Sequence, residues 1–290
     1  MTDAPTPTVC LTVDLDALSV WQMLGATGAL SVSRGEFGAT VGTPRLLDSV
    51  RRFAVPTTWF IPGITAEHYP DAVLSVVDAG HEIASHGHRH LDFTRLSADE
   101  ARDDIRRATE ALQALTGVVP AGIRLTGSDV DGRCIEVVAE EGFAYDSSVC
   151  GGYHARWARA RDVFDAEGGV QFGRPLDLVE LPFDFSVTDF SHFEIHGGVG
   201  LPAAMPNPRQ LEEVWCDELD DLAVRDPTGV LMIVVHPQVI GRGSRLAMLE
   251  RVIEHALSNG FRFATAETLA AEFRDREAAK AGDAMPAADD

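Results

Sequence analysis

The chain alternates between short apolar runs and longer segments whose apolar residues recur every three or four positions. The runs "VCLTVDLD" (9–16), "PTTWFIP" (56–62), "HEIASH" (81–86), "LVELP" (178–182) and "VLMIVVH" (230–236) are rich in β-branched residues, which predicts strands. Amphipathic helices are predicted between them. "TPRLLDSVRRFA" spaces its apolar residues at three and four, with Pro44 suited to a first helical turn. "SADEARDDIRRATEALQALTG" opens on Ser97, has Glu100 three residues later as in a capping box, and stops at Gly117. "NPRQLEEVWCDELDDLA" and "SRLAMLERVIEHALSNG" repeat the scheme, the latter again ending on a glycine. Strand–helix alternation over the whole length predicts an α/β fold on a parallel sheet, open or closed into a barrel. No Pro/Gly/Ser linker and no internal repeat divides the chain, so residues 1–290 are expected to form one domain. Residues 150–206 read as long loops over one end, and "REAAKAGDAMPAADD" as a frayed, solvated tail.

In parallel α/β sheets, reactive side chains collect at the carboxyl ends of the strands. Asp14 and Asp16 close the first run, His86 the third, and His236 the last. The stretch "SHGHRHLDF" (85–93) adds His88 and His90. Zinc and similar ions favour imidazole and carboxylate ligands, and a catalytic site keeps one position open for water. Asp16, His86 and His90 would supply three ligands and leave that opening. A helical turn or tight loop brings His86 and His90 to one side and excludes His88; an extended chain would include it. Alone, an H-x-x-x-H spacing is common, an acidic pair after a strand is often a cap, and His236 could be a core histidine. Their joint placement at strand ends favours a metal site. His81 begins its strand, falls on the opposite rim and reads as structural. His68, His154, His192, His196 and His255 show no organising pattern.

Composition narrows the partners. At 290 residues, 45% hydrophobic and 24% charged, the chain can bury a large core. A net charge of -21 repels phosphate backbones and anionic membranes, and no local basic stripe opposes it, so neither nucleic acid nor membrane is an expected partner. Cys10, Cys134, Cys150 and Cys216 are scattered, which points to buried small hydrophobes rather than a thiolate site or a disulfide framework. The N-terminal residues have no basic segment leading into an apolar one, and no apolar stretch approaches the roughly 20 residues of a membrane span. Cytoplasmic residence is the expectation.

Taken in order, "VDLDALSVW", "SRGEFGATVGTPRLL", "PTTWFIPG", "VDAGHEIASHGHRH" and "VVHPQV" resemble the polysaccharide deacetylase family, in particular its cytosolic branch of peptidoglycan deacetylases and allantoinases. The resemblance runs from about residue 9 to residue 273. It implies a distorted (β/α) barrel of seven strands with long loops over the active end. It also implies hydrolysis of a non-peptide amide that depends on a divalent metal, zinc foremost, and a homo-oligomer. Carried over by position, Asp14 matches the catalytic base and Asp16 the carboxylate ligand. His86 and His90 match the metal histidines, which makes His88 a non-ligand. His236 matches the general acid, and Arg124, in "GIRLTGSD", the arginine that orients the base.

Trp21, Trp59, Phe37 and the aromatic-rich stretch 183–193 are candidates to wall a substrate pocket, although core packing explains such residues equally well. Arg34 and Glu36 in "SRGEFG" are candidates to reach substrate, with a surface ion pair as the plainer alternative. Gly87 stands where many deacetylases carry Ser or Thr, and Arg124-Leu125-Thr126-Gly127-Ser128 replaces their R-x-P-x-G. Two substrate classes follow: an N-acetylated sugar or glycan, and a small cyclic amide, imide or ureide. A non-enzymatic binding barrel is a distant third, because all five chemical positions hold competent residues.

Overall fold

The computed structural model describes residues 6–127, 129–164, 168–194 and 207–283. In chain order the strands are β1 Thr8–Asp14, β2 Thr58–Ile61, β3 Glu82–Ser85, β4 Gly122–Ile123, β5 Tyr145–Cys150, β6 Arg156–Arg159, β7 Val163–Phe164, β8 Val170–Gln171, β9 Pro175–Pro182, β10 Val230–Val235 and β11 Arg262–Phe263. Within a nine-stranded sheet, β10-β1-β2-β3-β4-β5-β9 lie side by side and parallel in that order. β6 adds antiparallel to the outer edge of β9, and β11 pairs with the start of β1. Past β9 the chain reaches back toward β10, where Thr188 forms a parallel bridge to Val234.

Every residue of β1 is buried because both faces of the sheet are covered. Successive side chains point to opposite faces. Val9, Leu11 and Val13 join Trp59, Ile61, Leu231 and Ile233 in a layer shared with the surrounding helices. Between them, Cys10 packs with Phe60, Ala84, Tyr145 and Met232 on the other face. A two-sided burial of this kind is what turns these strands into unbroken apolar runs in the sequence.

The helices form where the spacing predicts. Thr43–Phe53 carries its proline in the first turn, and Ala98–Thr116 shows the full Ser97–Glu100 capping box. Pro208–Arg225 and Gly243–Ser258 follow, the second capped by Asn259 one residue ahead of Gly260. Among the described residues no helix is long and apolar enough to cross a membrane. Cys10 and Cys134 are buried free thiols and Cys216 is half-buried.

Two expectations need correction. The stretch 150–206 is not simply loop, since it holds β6 to β9 and the short helix Asp189–Phe193. Its strands are two to eight residues long and partly exposed, so apolar periodicity is faint there. The helix Ala266–Asp283 runs through "REAAKAGD", whose Ala, Glu, Arg and Lys are strong helix formers. Residues 284–290 lie outside the described residues.

Asp146 and Glu180 are fully buried and pair in register across β5 and β9. Burial pushes the Asp146 carboxyl up to about 6 and holds that of Glu180 well above the usual carboxylate range. A carboxyl whose folded pKa is raised contributes stability below its unfolded pKa and loses it as pH rises through the folded value. Glu180→Gln supplies a permanent amide donor where the pair otherwise needs a shared proton. The variant is therefore expected to be more stable than wild type by about 1–3 kcal/mol at pH 8. The difference should shrink toward zero at pH 4, as read by urea unfolding at both values.

Candidate active site

β1 delivers the first carboxylate directly. Asp14 is its last residue, and Asp16 follows in a turn whose backbone carbonyl accepts from Ser19 Oγ (2.8 Å) and Thr65 Oγ1 (2.9 Å). Both side chains are buried. Arg124, also buried, follows β4 and donates from Nη1 to Asp14 Oδ1 at 2.7 Å. Its other donors reach Thr12 Oγ1, the Ser147 carbonyl and Ser147 Oγ, and the guanidinium lies 4.1 Å from the Phe60 ring centre. A guanidinium fixed on so many sides fixes the carboxylate it holds. Asp14 Oδ2 is left facing His86 Nε2 at 3.8 Å and His236 Nε2 at 3.7 Å.

The chain leaves β3 through a tight loop rather than a helix. Gly87 sits at φ +68° and His90 at +55°, both left-handed, which folds His86 and His90 onto one side. Their rings meet edge to face at 5.0 Å. His86 Nδ1–H donates to the Arg124 carbonyl at 2.7 Å, so the lone pair resides on Nε2. Burial pulls the His86 pKa down to about 4, with His90 adding to the effect while the neighbouring carboxylates oppose it. Its imidazole is neutral at ordinary pH, the form in which a histidine ligates. His88 turns the other way, with Nε2 near Arg107 (3.2 Å) and Glu67 (3.8 Å).

His236 directly follows β10, and its surroundings reverse the protonation. Its Nδ1–H donates to Asp189 Oδ1 at 2.7 Å, and the backbone N–H of His236 meets the same carboxylate at 3.1 Å. Burial alone would lower the His236 pKa, but Asp189, with Asp16 and Asp14 beyond it, raises it to about 9. Gln238, two residues on, donates from Nε2 to Asp16 Oδ2 at 3.3 Å. This turn presses against the five-residue π-helix Gly38–Gly42, the sort of helical irregularity that recurs at functional sites.

Asp16, His86 and His90 form a buried group whose ligand atoms lie within 4.8 Å of one another and could hold a metal ion. With metal–ligand bonds of about 2.0–2.1 Å, neighbouring ligands of a tetrahedron stand about 3.3 Å apart. Asp16 Oδ1 is 3.3 Å from His90 Nε2 and 3.6 Å from His86 Nε2. Among the described residues it also has no hydrogen-bond donor, an unpaired buried oxygen that a cation would satisfy. Burial would raise the Asp16 pKa, yet His90, His236 and His86 hold it well below the usual carboxylate range. The donor set and the spacing fit a divalent cation.

These groups open onto a cavity of about 660 Å³ walled by Trp21, Leu24, Phe183, Phe185 and Phe190. Of the sequence candidates for substrate contact, Trp21 is on this wall. Trp59 is corrected: it is entirely buried in the core, with Nε1 donating to Thr57 Oγ1. Arg34 is corrected as well, because it pairs with the buried Glu194 and stacks 4.5 Å over Trp21 behind the wall. Glu36 is not among the lining residues, and Phe37 lies beneath Arg242.

A family model described as polysaccharide deacetylase matches residues 27–145. A peptidoglycan deacetylase of Helicobacter pylori is 28% identical over 284 residues, covering 92% of this chain and 96% of its own. A solved chain described as a polysaccharide deacetylase from Mycobacterium smegmatis superposes with a TM-score of 0.81 at 30% identity, over 96% of this chain and 93% of that one. The chain belongs to the polysaccharide deacetylase family. It is thereby a hydrolase of carbon–nitrogen bonds other than peptide bonds, in a family that works with a metal. A Puue allantoinase shares the fold, with a TM-score of 0.76 at 24% identity over 95% of this chain and 92% of that one.

Two residues of this deacetylase went unread in the sequence. Asp189 sits in a phenylalanine-rich stretch with no motif, and Gln238 looks like any polar residue after a strand. In the folded chain the "HPQ" turn packs against Gly38 and Gly42, a contact that no pattern in the sequence marks. A Cβ on Gly42 would stand 2.2 Å from the Pro237 carbonyl oxygen, so Gly42→Ala must push the His236–Gln238 turn away. We expect it to cost about 1–3 kcal/mol in urea unfolding. An unchanged midpoint would mean that the turn is not packed this way.

Proposed function

We propose that the chain removes acetyl groups from an N-acetylated sugar or glycan, with Asp16, His86 and His90 holding a divalent metal, zinc foremost, and residues 9–273 acting as one barrel domain. One observation carries the reading: Asp14 Oδ1 is locked to Arg124 while Oδ2 faces the gap between the Asp16–His86–His90 group and His236. When bound, the cation lowers the pKa of a coordinated water and polarises the substrate carbonyl.

The protein's own groups do the rest. Asp14, with one oxygen immobilised, takes the proton of the attacking water on Oδ2. His236 stands opposite as the acid, held protonated by Asp189 with Nε2–H toward the cavity, and passes its proton to the departing amine nitrogen. The amide C–N bond breaks, and acetate and the free amine result. Environments that push two imidazoles apart in pKa, His86 down and His236 up, separate the ligand from the acid. The aromatic wall of Trp21, Phe183, Phe185 and Phe190 suits the apolar faces of a sugar ring, and the cavity volume suits one or two residues of a glycan.

The direct test is acetate release from N-acetylglucosamine oligomers by metal-loaded protein, run beside cyclic imides and ureides. Acetate release supports the proposal. Ring opening of the cyclic amides without acetate release would move the substrate to that second class, and inertness toward every amide would discard hydrolysis.

Asp14→Asn is expected to lower turnover by about 10²–10⁴-fold while the protein still binds one equivalent of metal. Parallel loss of the metal, measured by elemental analysis, would make Asp14 a ligand instead of the base.

A further inference from the structure

His86 and His90 are two ends of a loop whose shape is not one the chain adopts freely. Gly87 and His90 both occupy left-handed backbone, and His90 does so with a full side chain. Something must hold the loop while its ends present their Nε2 atoms to Asp16. On one side the carbonyls are taken: Gly87 O accepts from Gly63 N and His88 O from Ile64 N, each at 2.9 Å. On the other side the amides converge on a single side chain. His88 N–H donates to Asp104 Oδ2 at 2.7 Å, and Arg89 N–H donates to Asp104 Oδ1 at 3.3 Å.

Asp104 comes from the middle of the helix Ala98–Thr116 and is 2% exposed. Among the described residues its one ion-pair contact is Arg89 Nε at 3.6 Å, so the backbone amides are its nearest partners. A buried carboxylate bonded to consecutive amides on a turn is a strong local anchor, because charge-assisted hydrogen bonds exceed neutral ones. The seat for it exists because residue 87 has no side chain. A Cβ there would lie 2.8 Å from Asp104 Oδ2 and 3.2 Å from the Phe93 ring. Gly87 therefore serves two purposes, the left-handed turn and the space for the carboxylate.

We infer that Asp104 is a positioning residue of the metal site: through the amides of His88 and Arg89 it fixes the loop that aims His86 and His90 at Asp16. The inference rests on the proposed metal ligation. Asp104 is neither among the residues lining the cavity nor in the Asp16–His86–His90 group, so its effect is carried by the backbone. Outer groups that orient ligands usually change metal affinity 10–100-fold when removed.

The test uses the full chain, stripped with chelator and titrated with Co²⁺ in a calorimeter, with the visible Co²⁺ band recorded alongside. Amide hydrogen exchange over residues 86–91 is followed in the metal-free state. Asp104→Ala is expected to speed exchange at His88 and Arg89, weaken Co²⁺ binding by about 10–100-fold and shift the band. Asp104→Asn keeps the shape and one acceptor, so it carries the test if the alanine variant fails to fold, with an expected loss of about tenfold. Unchanged Co²⁺ affinity and spectrum in a folded variant whose loop exchange has risen would overturn the inference and leave Asp104 a purely structural anchor. Failure of the underlying reading looks different: wild type itself would take up no Co²⁺, which overturns both. In a double-mutant cycle, Gly87→Ser should cost less stability in the Asp104→Ala background than in wild type, since the carboxylate it collides with is gone. Equal costs would contradict the packing on which the inference stands.

Discussion

Asp16 Oδ1 lies buried with no donor among the described residues, while two imidazole nitrogens stand 3.3 and 3.6 Å from it. An unpaired ionised oxygen in the protein interior carries a penalty of several kcal/mol. The surrounding structure maintains that situation rather than relieving it. Gln238 occupies only the other oxygen, Thr65 and Ser19 bind only the backbone carbonyl, and Arg124 is committed to Asp14. In the proposed function, the oxygen to which the described residues give no donor is the one that would meet the cation. The remaining features of the site are arranged around this vacancy of hydrogen bonding.

Sheet polarity makes the arrangement possible. Parallel strands share one carboxyl rim, so the ends of β1, β3, β4 and β10 bring Asp14, Asp16, His86, Arg124 and His236 together from across some 220 positions of sequence. Backbone position alone does not assign roles, however. Burial pulls both imidazoles down; His86, bonded to a neutral carbonyl, stays low, whereas the Asp189 carboxylate bonded to His236 carries that one up. Arg124 and Asp189 thus act in parallel, each restricting one reactive group to a single useful atom.

The aromatic wall shows a similar division of labour. Trp21 and Phe190 lie 6.2 Å apart on the cavity side, and Arg34 stacks behind Trp21 while paired with Glu194. Arg245 adds a second contact to that glutamate and lies over Phe193. The rings give one wall an apolar face, while Glu194, Asp92 and Arg95 line the same cavity and keep charge beside it.

The sequence by itself determined the parallel α/β plan, because strands buried on both faces must read as apolar runs and exposed helices must show their period. It also determined where Asp14, Asp16, His86 and His236 fall, at strand ends whose position the apolar runs reveal, whereas Arg124 entered only through the family resemblance. Short or half-exposed elements such as β4, β6 and the helix Asp189–Phe193 left no such trace. Neither did the choice between His88 and His90, which depends on left-handed backbone at residues 87 and 90. The tertiary structure alone placed Trp59 in the core, turned Arg34 to Glu194, and brought Asp189, Gln238 and Asp104 behind the reactive groups. Each of those outcomes depends on contacts between segments far apart in the chain, and a local pattern of polar and apolar residues holds no record of its distant partners.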